Sequence, residues 1–175
     1  MFHLTTLLLS ALLSLTSVSA APTTAAPSTF YLETTTSRSS SSNSSALSSV
    51  SALSLFDPYY QPNLYLRTIE AGYGSLPTFT LSNGTLHTIA AGPHGIGEFE
   101  YNSTAVEANK PLQFLAEKQP KGGLALKSGY LLTVGGKSRG WTLCVGDLGQ
   151  TVLEWQGTDA SCKATYVQAV ATPPY

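Results

Sequence analysis

Charged residues are scarce in this chain. Asp, Glu, Lys and Arg make up 11% of its 175 residues, whereas ordinary globular proteins contain about 25%. Nine basic residues balance ten acidic ones, and the net charge is −1. Proteins that bind nucleic acid neutralise phosphates with an excess of basic residues, so the sequence predicts no nucleic-acid partner. Hydroxyl and amide side chains must solvate much of the surface instead.

Patterns that would assign an enzyme are also scarce. The chain contains no Gly-x-x-x-x-Gly-Lys phosphate loop and no calcium-binding loop. Glu98 and Glu100 would share one strand face, and they are the candidate carboxylates of a small secreted glycoside hydrolase. An exposed strand face explains them more simply, as it also explains His87. We therefore predict no enzymatic activity, no cofactor and no bound metal.

One apolar run stands out near the start of the chain, at residues 7–15 (LLLSALLSL). A helix that crosses a bilayer needs about 20 apolar residues, so this run is too short to anchor the chain. Val18, Ser19 and Ala20 follow with the small-x-small pattern of a signal-peptidase site. Residues 1–20 therefore predict a cleaved signal peptide, an extracellular or cell-wall location, and no membrane association of the mature chain.

Cysteine is limited to Cys144 and Cys162. A secreted chain passes through an oxidising compartment, where two cysteines most simply form one disulfide. Closing a loop of about 18 residues would stabilise the fold by roughly 3 kcal/mol. Two thiols without Cys-x-x-Cys spacing do not make a structural zinc site by themselves, so the sequence favours the disulfide over a metal.

Three Asn-x-Ser/Thr sequons begin at Asn43, Asn83 and Asn102. Each is a candidate N-glycosylation site in a secreted protein, provided that it lies on an exposed loop. Asn83 is the strongest candidate because it is followed by Gly84, and Asn-Gly is the strongest short signal for a hairpin turn.

The N-terminal part of the mature chain differs in composition from the rest. Residues 21–29 read as a flexible leader and residues 30–33 (FYLE) as a first strand. Residues 34–54 are dominated by Ser and Thr and predict a mobile loop, because they offer little apolar surface to offset their ordering entropy. A short helix over residues 46–55 is the alternative for the end of this segment. Residues 55–175 are predicted to form the main part of a β domain.

Short apolar runs recur through the main part of the domain at roughly ten-residue spacing, and Gly-containing pairs separate several of them. Candidate turns lie at Ser128-Gly129, Gly135-Gly136 and Gly146-Asp147. This pattern is typical of an all-β domain, either an antiparallel β-sandwich or a small barrel with one disulfide, with a β-trefoil as the alternative. Predicted strands cover residues 63–70, 78–81, 86–90, 98–101, 112–115, 124–127, 130–134, 141–145, 152–155 and 165–170.

Aromatic residues are the remaining functional signal. Tyr59, Tyr60 and Tyr73 form a candidate glycan platform, since sugar rings stack on flat apolar faces; covering a sheet edge is the structural alternative. Trp141 and Trp155 are expected to pack around the disulfide.

The motif Gly140-Trp141-x-x-Cys144, the pattern Leu153-x-Trp155, Cys162 and the apolar cluster of residues 30–32 occur together in this chain. In this respect the chain resembles small secreted β-proteins of filamentous ascomycete fungi, among them uncharacterised cell-surface families and, more distantly, PhiA-like cell-wall proteins. The resemblance covers mainly residues 124–170. It implies a non-catalytic protein of the fungal cell wall or extracellular surface and supplies no catalytic residues.

The sequence thus favours a secreted, non-catalytic surface protein whose partner is cell-wall polysaccharide or a host surface. A glycan-binding module using Tyr59, Tyr60 and Tyr73 is the alternative function. A small secreted glycoside hydrolase is less favoured.

Overall fold

The computed structural model describes residues 27–38, 50–58, 63–70, 76–92 and 95–172. The predicted signal peptide at 1–20 and most of the predicted leader at 21–29 lie outside these residues. No helix in the described ranges is long and apolar enough to cross a membrane.

The described residues form an all-β fold with no α-helix. Their fourteen strands are β1 (Tyr31–Thr35), β2 (Ser51–Phe56), β3 (Asn63–Thr68), β4 (Thr80–Ser82), β5 (Thr85–Ala91), β6 (Glu98–Ser103), β7 (Lys110–Pro111), β8 (Gln113–Leu115), β9 (Leu124–Lys127), β10 (Leu131–Val134), β11 (Trp141–Val145), β12 (Thr151–Trp155), β13 (Lys163–Ala164) and β14 (Tyr166–Val170).

Ten strands follow one another in an antiparallel sheet, in the order β4-β5-β6-β8-β3-β2-β1-β14-β10-β9. The two ends of this order approach each other. The Leu124 N–H at the start of β9 donates to the Gly84 carbonyl in the β4–β5 turn at 3.0 Å. Phe79, just before β4 at one end of the order, exchanges two backbone hydrogen bonds of 3.0 and 2.7 Å with Phe30, just before β1 in its interior. The result is a nearly closed barrel, one of the architectures that the sequence predicted.

A second element, which we call the ribbon, consists of β11, β12 and β13. Strand β11 lies between β12 and β13, and Val152 of β12 pairs with Arg67 of β3. The Leu112 N–H adds a backbone hydrogen bond to the Leu153 carbonyl at 3.0 Å. These contacts attach the ribbon to the side of the barrel.

The core combines aromatic residues from the barrel and the ribbon. Trp141 and Trp155 are opposite each other on β11 and β12, and their rings meet edge to face with centroids 5.1 Å apart. The buried Trp141 Nε1–H donates to the Leu132 carbonyl at 3.1 Å, so its one polar group is satisfied. The other largest core aromatics are Phe30, Phe79, Tyr101 and Phe114.

The predicted packing of both tryptophans around the disulfide is wrong. Successive residues of a strand point to opposite faces. Trp141 and Trp155 belong to the core cluster, whereas Cys144 and its neighbour Thr142 lie on the other face of the ribbon, with the Cys144 sulfur 3.5 Å from the Thr142 hydroxyl. The aromatic face of the ribbon therefore packs in the core cluster, and the disulfide lies on the opposite face.

The predicted loop at 34–54 is too long at both ends. Residues 34–35 complete β1, and residues 51–54 begin β2, which also excludes a helix over residues 51–55. Ala52 pairs with Glu33 of β1 and Leu53 pairs with Thr68 of β3, and both apolar side chains are buried. Burial between two partner strands thus outweighs the local Ser-rich composition.

Most predicted strands are observed within a residue or two of their expected ends, and three predicted hairpin connections are confirmed. Gly146-Asp147 begins the connection between the paired strands β11 and β12. Asn83-Gly84 and Ser128-Gly129 have positive φ at both positions, as a type I′ turn requires. Gly135-Gly136 also forms a tight turn, closed by Val134 and Lys137, but it is not a hairpin between β10 and β11. Those two strands belong to different parts of the molecule: β10 pairs with β9 and β14, and β11 with β12 and β13.

Candidate functional site

The candidate site is a cleft of about 270 Å³ between strands β2–β3 and the ribbon. We call it the ribbon groove. It is open to solvent and adjoins the β11–β12 turn. The residues that the argument uses are Phe56, Tyr65, Val145, Leu148, Gln150 and Glu154.

One wall of the ribbon groove is aromatic. Phe56 and Tyr65 are directly opposite each other on β2 and β3, with ring centroids 6.2 Å apart and planes inclined at 63°. Both rings are half-buried and lie outside the main core cluster. Two aromatic faces held in an edge-to-face pair offer a rigid apolar wall to a ligand.

The opposite wall comes from the β11–β12 turn and exposes aliphatic side chains. Val145 and Leu148 keep 57% and 53% of their surface accessible to solvent. Large exposed apolar residues are individually common on protein surfaces. Here they line the same cleft as Phe56 and Tyr65, so the apolar surface is continuous across the groove.

Arg67 fixes the two walls relative to each other. Its Nη1–H donates to the Gln150 Oε1 at 2.7 Å, which ties β3 to the β11–β12 turn. Its guanidinium carbon also lies 5.3 Å from the centroid of the Phe56 ring, within the range of a cation–π contact. Such paired constraints preorganise the groove before a ligand binds.

Two carboxylates add hydrogen-bonding groups to the groove, Asp147 in the turn and Glu154 on β12. Burial raises the pKa of the Glu154 carboxyl, and the negative charge of Asp159 raises it further. A carboxyl group accepts hydrogen bonds when ionised and also donates one when protonated. Together with the Gln150 amide, these groups give the groove both hydrogen-bond donors and acceptors.

The predicted disulfide between Cys144 and Cys162 is confirmed, with an S–S distance of 2.04 Å. The Glu154 carboxylate lies close to it, since the three potential ligand atoms fall within 4.8 Å of one another. The sulfurs are bonded to each other and so offer no thiolates to a metal ion. The disulfide instead links β11 to the residue before β13, beside the ribbon groove.

The predicted glycan platform of Tyr59, Tyr60 and Tyr73 lies outside the described residues. Its sequence context nevertheless relates to the groove, because Pro58, which directly precedes Tyr59, is one of the residues that line it. The described residues that follow β2 thus end at Pro58, at the edge of the groove.

The three predicted glycosylation sites have different surroundings. Asn43 lies outside the described residues. Asn83 is exposed at the tip of the β4–β5 turn. Asn102 is buried on β6, and its side-chain amide, the group that would carry the glycan, donates to the Glu117 carbonyl at 3.2 Å.

The predicted hydrolase carboxylates, Glu98 and Glu100, are exposed on β6 and do not line the ribbon groove. A second pattern bears on catalysis, because residues 136–140 (GKSRG) match Gly-x-Ser-x-Gly. In α/β-hydrolases that pattern occupies a strand-to-helix turn. Here it connects β10 to β11, and no histidine hydrogen-bonds to Ser138 within the described chain.

No protein-family model, curated protein or solved structure matches this chain. The resemblance to secreted fungal proteins stays a prediction.

Sequence reasoning missed most of the ribbon groove. The turn at Gly146-Asp147 was predicted, and strand β3 was predicted with Tyr65 on it. The pairing of Val152 with Arg67 brings the two strands together, and the Arg67–Gln150 hydrogen bond joins them across 83 residues of sequence. Val145 and Leu148 flank the predicted turn, but single apolar residues beside a turn are too common to identify a site.

Proposed function

We propose that this is a secreted surface protein that binds cell-wall polysaccharide through the ribbon groove. The observation that carries the proposal is the combination of an aromatic wall, Phe56 and Tyr65, with the amide of Gln150 and the carboxyl of Glu154 in one open cleft. Ligand sites commonly pair apolar surface with a few placed polar groups. A pyranose ring presents the complementary surfaces, with C–H groups on its face and hydroxyls on its rim.

The proposed location is extracellular or in the cell wall, and the sequence supports it. Residues 1–20 have the pattern of a signal peptide. The Cys144–Cys162 disulfide is typical of an oxidising compartment. The low charge content suits a protein that works among neutral polysaccharides, because such ligands offer no charges to pair with.

The proposed fungal wall association follows the resemblance described above. A host surface glycan is the second partner compatible with the same groove chemistry. The two partners differ in their polymers, so binding experiments with defined polysaccharides distinguish them.

The direct test is a sedimentation assay of the mature protein with insoluble chitin, β-1,3-glucan and cellulose. We expect at least one of these polymers to retain the protein. Tyr65→Ala should weaken retention by about tenfold, equivalent to about 1.4 kcal/mol, because it removes one face of the aromatic wall. Phe99→Ala is the matched control, since Phe99 is a partly exposed aromatic on β6 that does not line the groove.

A second pair of variants separates loss of the groove from loss of the fold. Leu148→Asp places a charge in the groove at an exposed position, and Ile89→Asp does the same at an exposed position on β5. Leu148→Asp should abolish retention while Ile89→Asp preserves it. The proposal is wrong if no polymer retains the wild-type protein, or if the groove variants bind as well as their controls.

A further inference from the structure

Three polar side chains meet on the outer face of the β4–β5–β6 sheet, and the ribbon groove does not include them. The Ser82 hydroxyl lies 2.8 Å from Nε2 of His87, and the Nδ1 of His87 is hydrogen-bonded to the Oδ1 of Asn102. Strand register produces this arrangement. His87 is directly opposite Asn102 on β6, and Ser82 is its diagonal neighbour on β4, since His87 pairs with Thr80.

The hydrogen bonds of Asn102 determine which nitrogen of His87 carries the proton. The Asn102 Nδ2–H donates to the Glu117 carbonyl at 3.2 Å, and a carbonyl oxygen can only accept a hydrogen bond, so the amide nitrogen must point towards it. The Oδ1 of Asn102 therefore faces His87 and requires Nδ1 to be protonated. In the neutral ring this leaves Nε2 as an acceptor, which receives the hydrogen bond of the Ser82 hydroxyl.

This is the order of contacts that activates a serine nucleophile: hydroxyl, imidazole acceptor, and a third group that holds the imidazole in the required tautomer. Asn102 is buried and supplies the orientation but no negative charge. Glu100 supplies that charge, because its Oε1 lies 3.5 Å from His87 Nδ1. A nearby carboxylate stabilises the imidazolium that forms when His87 accepts the serine proton.

The serine is accessible and adjoins apolar space. Ser82 is exposed, and it is one of the residues that line an open cleft of about 460 Å³. Phe30, Leu81, Leu124 and Leu126 give this cleft apolar surface beside the polar groups of Ser28, Ser82 and Asn83. Such a surface suits the acyl chain of an ester.

We propose that Ser82 and His87 form the catalytic pair of an esterase site, with Asn102 and Glu100 as positioning residues. The Ser82 oxygen attacks the ester carbonyl carbon and its proton passes to His87 Nε2. The ester C–O bond then breaks, and the leaving alkoxide takes that proton as the alcohol. Water then attacks the acyl-serine carbonyl carbon in the same way, with His87 accepting its proton and returning it to the Ser82 oxygen, which releases the carboxylic acid and restores Ser82. The reaction involves no oxidation or reduction.

Backbone donors are present next to the nucleophile. The N–H groups of Asn83 and Gly84 directly follow Ser82 in the turn and donate no hydrogen bond to any group within the described residues. In several hydrolases the N–H after the nucleophile stabilises the oxyanion. The proposal departs from the sequence-based prediction of no enzymatic activity, and it does not depend on polysaccharide binding.

The test uses the full secreted chain carrying Asn83→Gly, which removes the glycan acceptor beside Ser82 and keeps a residue that tolerates positive φ. p-Nitrophenyl butyrate is the substrate, and a fluorophosphonate is the covalent probe. We expect hydrolysis above background and attachment of one probe molecule, located at Ser82 by peptide mass spectrometry. Ser82→Ala and His87→Ala should each remove both signals.

Matched variants exclude the simpler explanations. Ser138→Ala removes the serine of the Gly-x-Ser-x-Gly pattern and should leave hydrolysis and labelling unchanged. Glu100→Gln should lower kcat by about tenfold with little change in KM, because it acts on the imidazolium and not on substrate binding. A thermal melt reports whether each variant folds. Labelling at Ser138, no labelling at all, or equal hydrolysis by a folded Ser82→Ala protein would overturn the proposal.

Discussion

The ribbon of β11–β13 and the sheet of β4–β6 both carry a candidate site, but they fix their side chains by different means. In the ribbon, a disulfide on one face and an edge-to-face pair of tryptophans on the other hold the strands. In the β4–β6 sheet, Ser82, His87 and Asn102 are held by side-chain hydrogen bonds, and the turn is held by backbone contact with Gly122.

This difference has an energetic consequence. A covalent bridge limits the conformations of the unfolded chain and does not exchange with water. A hydrogen bond exchanges with water and contributes only about 1 kcal/mol net. The ribbon should therefore resist local opening, whereas the β4–β6 sheet should depend on close packing around its turn.

The largest expected effect comes from removing the bridge. Replacing Cys144 and Cys162 by Ala together should lower the free energy of unfolding by about 3 kcal/mol, because the 18-residue loop is no longer closed in the unfolded chain. Urea denaturation of variant and wild type measures this. Reduced wild-type protein is the control and should shift in the same direction. An unchanged midpoint would show that the ribbon does not depend on its covalent closure.

The next effect concerns the β4–β5 turn. A Cβ on Gly122 would lie 2.1 Å from the Gly84 carbonyl oxygen, so Gly122→Ala must displace backbone and should cost about 1–3 kcal/mol. Gly123→Ala is the matched control, because its nearest neighbour would be the Gly135 nitrogen at 3.8 Å. Equal melting temperatures for the two variants would contradict the close contact on which the barrel closure depends.

The smallest expected effect concerns glycosylation, and it is measured as the occupancy of each site. An N-glycan on the exposed Asn83 would project into solvent, whereas a glycan on Asn102 would replace the hydrogen bond to Glu117 within a buried site. Intact glycopeptide mass spectrometry of the secreted protein should therefore find Asn83 occupied and Asn102 free. High occupancy of Asn102 in folded protein would contradict the buried hydrogen bonding of this sheet.

The features that depend mainly on neighbouring residues or on composition, two turns and the disulfide, could be predicted from the sequence. The Asn83-Gly84 and Ser128-Gly129 turns follow from residues that tolerate positive φ, and the disulfide follows from the cysteine count and secretion pattern. The ribbon groove was not predictable, because Arg67 and Gln150 meet only through strand pairing.

The same limit applies to Ser82, His87 and Asn102. His87 was interpreted as an ordinary outward-facing residue, which is correct for its position on the strand. Its role depends on the register that brings Asn102 opposite it, and one residue of slip would move Asn102 to the other face. Strand β2 was missed for a similar reason, since its Ser-rich start gains burial only from the two strands beside it.

The central claim, that the ribbon groove binds a polysaccharide chain, is tested most directly by a nuclear magnetic resonance titration of labelled protein. The ligand is a soluble oligosaccharide of whichever polymer retains the protein. Saturable amide shifts should concentrate on residues 56–57, 65, 145–150 and 152–154, and Tyr65→Ala should raise the dissociation constant measured from them by about tenfold. Shifts that lie away from these residues, or an unchanged dissociation constant in a folded Tyr65→Ala protein, would contradict the account.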